Sequence, residues 1–294
     1  MKLLLGLRNR LELLKGRLKS KDFLFALYLM VPKFIRKQLK KISVKVLEPK
    51  IEYSEFERLV LLIRETPLEL MRDVEYLEQV LIPSIGLNNE SLHQQPVELS
   101  DYYGSGLHLW QYPNQLSRFL VEVLSKNRDF RTYIEIGVRW GGTFVLVSEY
   151  LLRFNHNLRN LFALDIIQES QIIGHYRKFI DKHGGPKIIY SNKGSGFLTA
   201  DWFSRDNVEE TLCFIDGDHS LNGVLKDHLT VSRFSDCIVH HDISSSALPH
   251  VALFWSFLKA ISGKEWDFVE FVDQYDLKGR GGFLGIGVAK RKAQ

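Results

Sequence analysis

From about residue 114 onward, short apolar runs alternate with amphipathic stretches. The runs at 132–137, 161–165, 187–191, 211–216 and 237–242 are too short for helices and rich in β-branched and aromatic residues, so they predict strands. Residues 143–154, 170–182, 221–232 and 248–261 predict helices between them. Leu116, Phe119, Leu120, Val123 and Leu124 predict another helix over 114–127, before the first strand. Strands and helices alternating through short connections make a doubly wound, mostly parallel α/β sheet. The last two apolar runs, WDFVEFV and GFLGIGVAK, are joined by the short glycine-rich stretch Lys278–Gly282. A parallel crossover needs a dozen or more residues, so this pair predicts an antiparallel hairpin and a seven-stranded sheet.

Upstream the pattern is helical. Leu4, Leu7, Leu11, Leu14 and Leu18 fall on one stripe with arginines and lysines on the other faces, and KFIRKQLKKI repeats that character after Pro32. Ser54 with Glu57, and Thr66 with Glu69, have capping-box spacing, and Pro67 suits a first helical position. Residues 48–82 therefore read as a helical cap ended by Pro83. The aperiodic segment 83–110, with its aromatic end DYYGSGLHLWQYP, reads as a loop folding over a pocket. The chain divides into a basic helical extension (1–47), a helical cap and loop (48–110) and an α/β domain (111–294).

Charge sharpens that division. Residues 1–47 hold thirteen Lys/Arg against Glu12 and Asp22, so residues 48–294 carry a net −7 although the whole chain is +4. The main body is not built for nucleic acid. The basic extension suits packing on the main domain, packing on a second subunit in a homo-oligomer, or peripheral contact with an anionic membrane. Phe23–Val31 is too short to span a bilayer, and Arg8 and Arg10 interrupt any secretory signal. Cys213 and Cys237 lie in strands without metal-finger spacing and predict buried thiols in a reducing, cytoplasmic setting.

The strand ends carry the candidate chemistry. TYIEIGVRWGGT, residues 132–143, runs from strand through a glycine turn into a helix, with Glu135, Gly137, Gly141 and Gly142 placed for a ligand to approach the backbone. The GVRWGG run lacks the middle glycine of a dinucleotide fingerprint, which favours a cofactor without phosphates. Asp165 closes LFALD and is placed to accept a ribose's two hydroxyls, or to cap the next helix; Glu135 suits a ligand ammonium or the loop's own N–H groups. FIDGDHS brings Asp216, Asp218 and His219, and VHHDIS brings His240, His241 and Asp242, to one sheet edge. Such acids either hold a hard divalent cation, Mg²⁺ or Mn²⁺, or divide into a general base and helix caps.

QYPNQ, EIGVRWGGTF, LDI, FIDGDHSLNGVLKD and HHDI occur in that order across residues 107–290. In this the chain resembles class I S-adenosylmethionine-dependent methyltransferases, within them the cephalosporin hydroxylase-like and macrolide sugar O-methyltransferase family. The resemblance implies a cofactor pocket of Glu135, Gly137, Gly141 and Asp165, with the adenine near Ser191 and Asn192. It also implies Mg²⁺ held by Asp216 and Asp242 against the hydroxyls of a small-molecule acceptor. Relatives often place another acid or an amide beside the fifth-strand aspartate; here His241 precedes Asp242 and Ile243 follows it, leaving His241 or Asp218 as third ligand. Asp216, Asp218 or His219 would take the acceptor's proton. The function expected is O-methylation of a hydroxylated small molecule, a sugar or glycolipid headgroup. Two alternatives stand beside it: an Fe²⁺- or Zn²⁺-dependent oxygenase or hydrolase using His219, His240 and His241, and a non-catalytic cofactor-binding scaffold at a membrane.

Overall fold

The seven strands line up in the order β3-β2-β1-β4-β5-β7-β6. They are β1 Thr132–Ile136, β2 Asn160–Leu164, β3 Lys187–Ser191, β4 Thr211–Ile215, β5 Cys237–His241, β6 Trp266–Phe271 and β7 Ile286–Arg291. The first five pair in parallel, and β7 runs antiparallel between β5 and β6. This is the doubly wound, mostly parallel seven-stranded sheet expected, including its antiparallel hairpin. The computed structural model describes residues 48–90, 94–126, 130–199, 210–275 and 282–292. The extension read in residues 1–47 lies outside them, as does most of the Lys278–Gly282 connection.

Among the described residues the main helices are α1 Tyr53–Glu65, α2 Pro113–Phe119, α3 Gly142–Phe154, α4 Gln171–His183, α5 Leu221–Val231 and α6 Pro249–Ser262. Strand alternation separates two packed layers. Ile134 and Ile136 of β1 and Ile238 of β5 pack with Val224 and Val231 of α5 and Phe254, Trp255 and Leu258 of α6. On the other face Tyr133 stacks on Phe144 of α3, and Phe119 meets Phe214 edge-on. Cys213 and Cys237 are buried and form no disulfide, as expected. No helix among the described residues is long and apolar enough to cross a membrane.

The cap helices lie against α3 and α4. Arg64 pairs with the fully buried Glu149 at 2.5 Å, Tyr150 donates to the Met71 carbonyl, and Arg153 donates to that of Thr66. Three expectations are corrected here. Ser54 caps nothing: α1 starts at Tyr53 after an extended Glu52, and Glu57 instead binds Lys182 and His183 of α4 at 2.7 and 2.9 Å. Thr66 opens no helix either, since its hydroxyl donates back to the Leu62 carbonyl at 2.7 Å and closes the end of α1. Pro83 does not end the cap, because the chain stays helical through Ser84. A widened π turn over Leu77–Leu81, in which Ile82 N–H reaches Leu77, leads into this proline; its own missing N–H removes a donor from the next turn.

Candidate functional site

The chain winds outward from β1 to β3 and returns to β4, so the sheet's topological switch lies between β1 and β4, where open α/β folds keep their sites. The glycine turn sits there. Gly137 has φ +90°, and a Cβ on it would fall 2.0 Å from the Asp216 carbonyl; one on Gly142 would fall 2.0 Å from the Leu107 carbonyl. Gly141, at φ +93°, would clash with Ile173 at 2.5 Å. The glycines thus let neighbouring protein approach the loop. Gly141 stands at the N-cap of α3 without a side-chain cap, so the first N–H groups of a thirteen-residue helix are left for an anion.

Within the turn, Arg139 adopts a left-handed backbone at φ 44°. Its guanidinium binds both carboxylate oxygens of Glu90 at 2.6 and 2.8 Å, with the rings of Trp110 and Trp140 at 4.8 and 5.4 Å. Segment 83–110 is thereby clasped to the turn. Arg139 N–H donates to Asp165 Oδ2 at 2.7 Å, while Oδ1 accepts Ile166 and Ile167 N–H at 2.6 and 3.2 Å. The Ser191 carbonyl accepts Asp165 N–H at 3.0 Å, and Asn192 beside it is exposed.

A cavity of about 300 Å³ opens over the switch point, and Glu135, Gly137, Gly141, Asp216, His219, His241 and Asp242 all line it. Asp165, Ser191 and Asn192 do not. Asp218 is also turned elsewhere: its carboxylate accepts Ser220 N–H at 2.9 Å and lies against Gly223 at the start of α5. Glu135 sits under the turn, accepting the Tyr133 hydroxyl at 2.5 Å. Burial raises its pKa to about 8, with the Asp216 charge adding to the rise against the hydroxyl's opposing effect.

Two carboxylates and two imidazoles meet across the cavity. His219 Nε2 is 3.2 Å from Asp216 Oδ1 and 3.2 Å from Asp242 Oδ2; His241 Nδ1 is 3.2 and 3.6 Å from the same two atoms. Period two in the strands sets this up, because His241 shares a face with Phe214, one strand pair from Glu135. Asp242 is aimed inward by a left-handed backbone, φ 63°. Burial opposes ionisation throughout, and the opposite charges override it. Against burial, His241 and His219 hold Asp216 below the usual carboxylate range. His241 is likewise raised well above the ordinary histidine value by Asp216 and Asp242, and the hydrogen bond to Asp216 raises His219. Ligand atoms of Asp216, His219 and Asp242 lie within 4.8 Å of one another, a spacing that suits one cation.

His240, one residue from His241, faces the opposite layer. Its Nε2 is 3.1 Å from His228 Nδ1 among Phe254, Trp255 and Trp266. Burial lowers both, His228 to about 4, so this is a neutral core pair and contributes nothing to the cavity.

The remaining walls include Gln94, His108, Trp110, Gln111, Thr143, Ser245, Leu248, Phe283 and Leu284. The sequence places 83–110 over a pocket, but nothing in its pattern singles out His108 or Leu284. The backbone does. Of five non-glycine residues with left-handed φ among those described, His108, Arg139, Asp242 and Leu284 line this one cavity. Strain of that kind gathers at working sites.

No protein-family model and no curated protein matches the chain. Among solved structures it is similar to a protein from Corynebacterium glutamicum, at 14% identity and TM-score 0.41, over 61% of this chain and 80% of that one. It is similar to the MTase domain of METTL16 at 12% identity and TM-score 0.41, over 62% and 69%. A third is precorrin-6y C5,15-methyltransferase from Geobacter metallireducens, at 17% identity and TM-score 0.37, over 63% and 90%.

Proposed function

We propose that this protein is an S-adenosylmethionine-dependent methyltransferase acting on a hydroxyl oxygen of a small molecule, a sugar or glycolipid headgroup first. One observation carries the reading. A single cavity at the switch point joins an uncapped helix N-terminus and a buried carboxyl to a cluster of two carboxylates and two imidazoles.

The residues fit the cofactor. The free N–H groups of α3 suit its carboxylate, and Glu135 suits its ammonium. Asp165 has accepted three N–H groups, leaving roughly one of about four acceptor positions for a ribose hydroxyl. Bound S-adenosylmethionine would supply a methyl group on a cationic sulfur. The chain's own part is to align the acceptor oxygen and take its proton, which falls to the His219–Asp216 pair in the cavity wall.

The same donors fit a divalent cation. Asp216, Asp242 and His219 would hold Mg²⁺ or Mn²⁺, whose chemistry is to lower the hydroxyl's pKa. His219 Nε2 has one lone pair, so it serves either as base or as ligand. With His219 on a cation, His241 would be the cluster's remaining imidazole lining the cavity.

Calorimetric titration with S-adenosylmethionine tests the cofactor: micromolar binding is expected, weakened at least tenfold in Asp165→Ala. No binding to the wild type, or undiminished binding to the variant, rejects the reading. Stoichiometric Fe or Zn in the purified protein would instead favour an oxygenase or hydrolase. Peripheral membrane contact through residues 1–47 is a separate proposal. Equal liposome partitioning with and without that segment would remove it.

A further inference from the structure

Six of the eleven exposed large hydrophobic side chains among the described residues lie on two neighbouring helices. On α5 they are Leu221, Leu225 and Leu229, exposed by 39, 38 and 52%; on α6 they are Leu253, Phe257 and Ile261, at 57, 56 and 61%. Each set repeats every four residues, forming one ridge along its helix. Both helices cover the same face of the sheet and pack side by side, their opposite ridges holding Val224, Val231, Phe254, Trp255 and Leu258 in the core. Among the described residues, the outward ridges add nothing to the core. A shallow groove beside the first of them is lined by Leu198, Leu225 and Leu229 together with Lys226 and Arg233.

Charge decides what covers this face. Neither helix has an exposed carboxylate, since the one acid in either, Asp227, is buried. The cations beside the ridges are Lys226, Arg233 just past α5, and the partly buried Lys259, which Glu270 holds at 2.6 Å. A helix pair lying on anionic lipid carries rows of Lys and Arg on its polar face. Depletion of charge around large apolar side chains marks the centre of a protein interface instead. Six side chains offering on the order of 100 Å² each give about 600 Å² of apolar surface. That reaches the upper end of what monomers leave exposed, and it approaches the roughly 800 Å² per partner of a standard interface. Ridges at four-residue spacing also fit the grooves between ridges of the same kind, so the face complements itself under a two-fold axis.

We infer that the outer face of α5 and α6 is a homodimer interface, covered by the same face of a second copy of this chain. The inference is independent of the proposed chemistry. Light scattering on the full chain at micromolar concentration is expected to give twice the 34.1 kDa monomer mass. Leu229→Glu combined with Phe257→Glu is expected to return the monomer mass with cooperative unfolding kept, while Val97→Glu, on another surface, leaves the dimer intact. If the glutamates prevent folding, Leu229→Gln with Phe257→Gln should weaken self-association at least tenfold. A monomeric wild type, or a dimer undiminished in the folded variants, overturns the inference. A monomer that sediments with phosphatidylserine vesicles only while Leu229 and Phe257 are intact overturns it in favour of lipid.

Discussion

His219 Nε2 stands at one distance, 3.2 Å, from carboxylate oxygens on two different strand ends, Asp216 Oδ1 and Asp242 Oδ2. The one N–H there bonds Asp216, and the charges of both aspartates raise the ring's proton affinity. A base held in this way works only once deprotonated, so methyl transfer should rise with pH along a limb centred above 6.5. His219→Gln should lower kcat about 10²- to 10⁴-fold and abolish that limb. A limb unchanged in the variant would place the base elsewhere.

The Arg139–Glu90 clasp makes a different prediction. Both side chains are partly exposed, so the pair contributes at most about 1 kcal/mol to stability. Its effect should be kinetic: Glu90→Ala frees segment 83–110 from the glycine turn and should speed dissociation of S-adenosylmethionine several-fold with little change in Tm. Stopped-flow fluorescence of Trp110 and Trp140 would report it, and identical dissociation rates would exclude a gating role.

Buried Asp227 of α5 has its carboxyl raised in pKa by burial, with Ser195 in the loop after β3 and the Asp218 backbone in the loop bearing Asp216 and His219 opposing the rise. Asp227→Ala removes the carboxyl that both loops face and should lower kcat while raising the cofactor KM. Asp227→Asn keeps one acceptor and should recover part of both. Equal loss in the two variants would mean that the carboxylate's charge, and not its hydrogen bonding, matters.

Acid should unfold the protein partly through the His228–His240 pair. His228 has a folded pKa near 4 against 6.5 unfolded, so the unfolded chain binds the extra proton. The contribution of His228 is complete above pH 6.5 and is lost as pH falls from 6.5 toward 4, at about 1.4 kcal/mol per unit. Urea melts at pH 7.5, 6.0 and 5.0 should show this slope, and replacing both histidines with leucine should flatten it.

The sheet was legible because its signals are local. Apolar runs bounded by turns place the five parallel strands and the helices read between strands within one residue, while the last run, read from Gly282, becomes strand only at Ile286. The convergence of FIDGDH with HHDI was legible for a related reason, since parallel neighbouring strands put their ends together. The direction of each side chain was not. Asp218 and Asp216 are two residues apart, yet only Asp216 enters the cavity, because Asp218 turns back to Ser220 N–H. The first capping box failed through tertiary competition, with Glu57 claimed by residues about 125 positions away, and the second through a local one, with Thr66 bonding the Leu62 carbonyl. His108 carries no motif; its place depends on a backbone strain that a residue pattern does not encode.

His240 and His241 belong to opposite sides of one strand, the first kept neutral among aromatic rings and the second charged between aspartates. Shifting β5 by one position between β4 and β7 would exchange them, sending a proton-binding group into the apolar layer and removing it from the cavity. Pairing on both edges of β5 therefore acts as proofreading: only the correctly threaded chain both buries its core and assembles its chemistry.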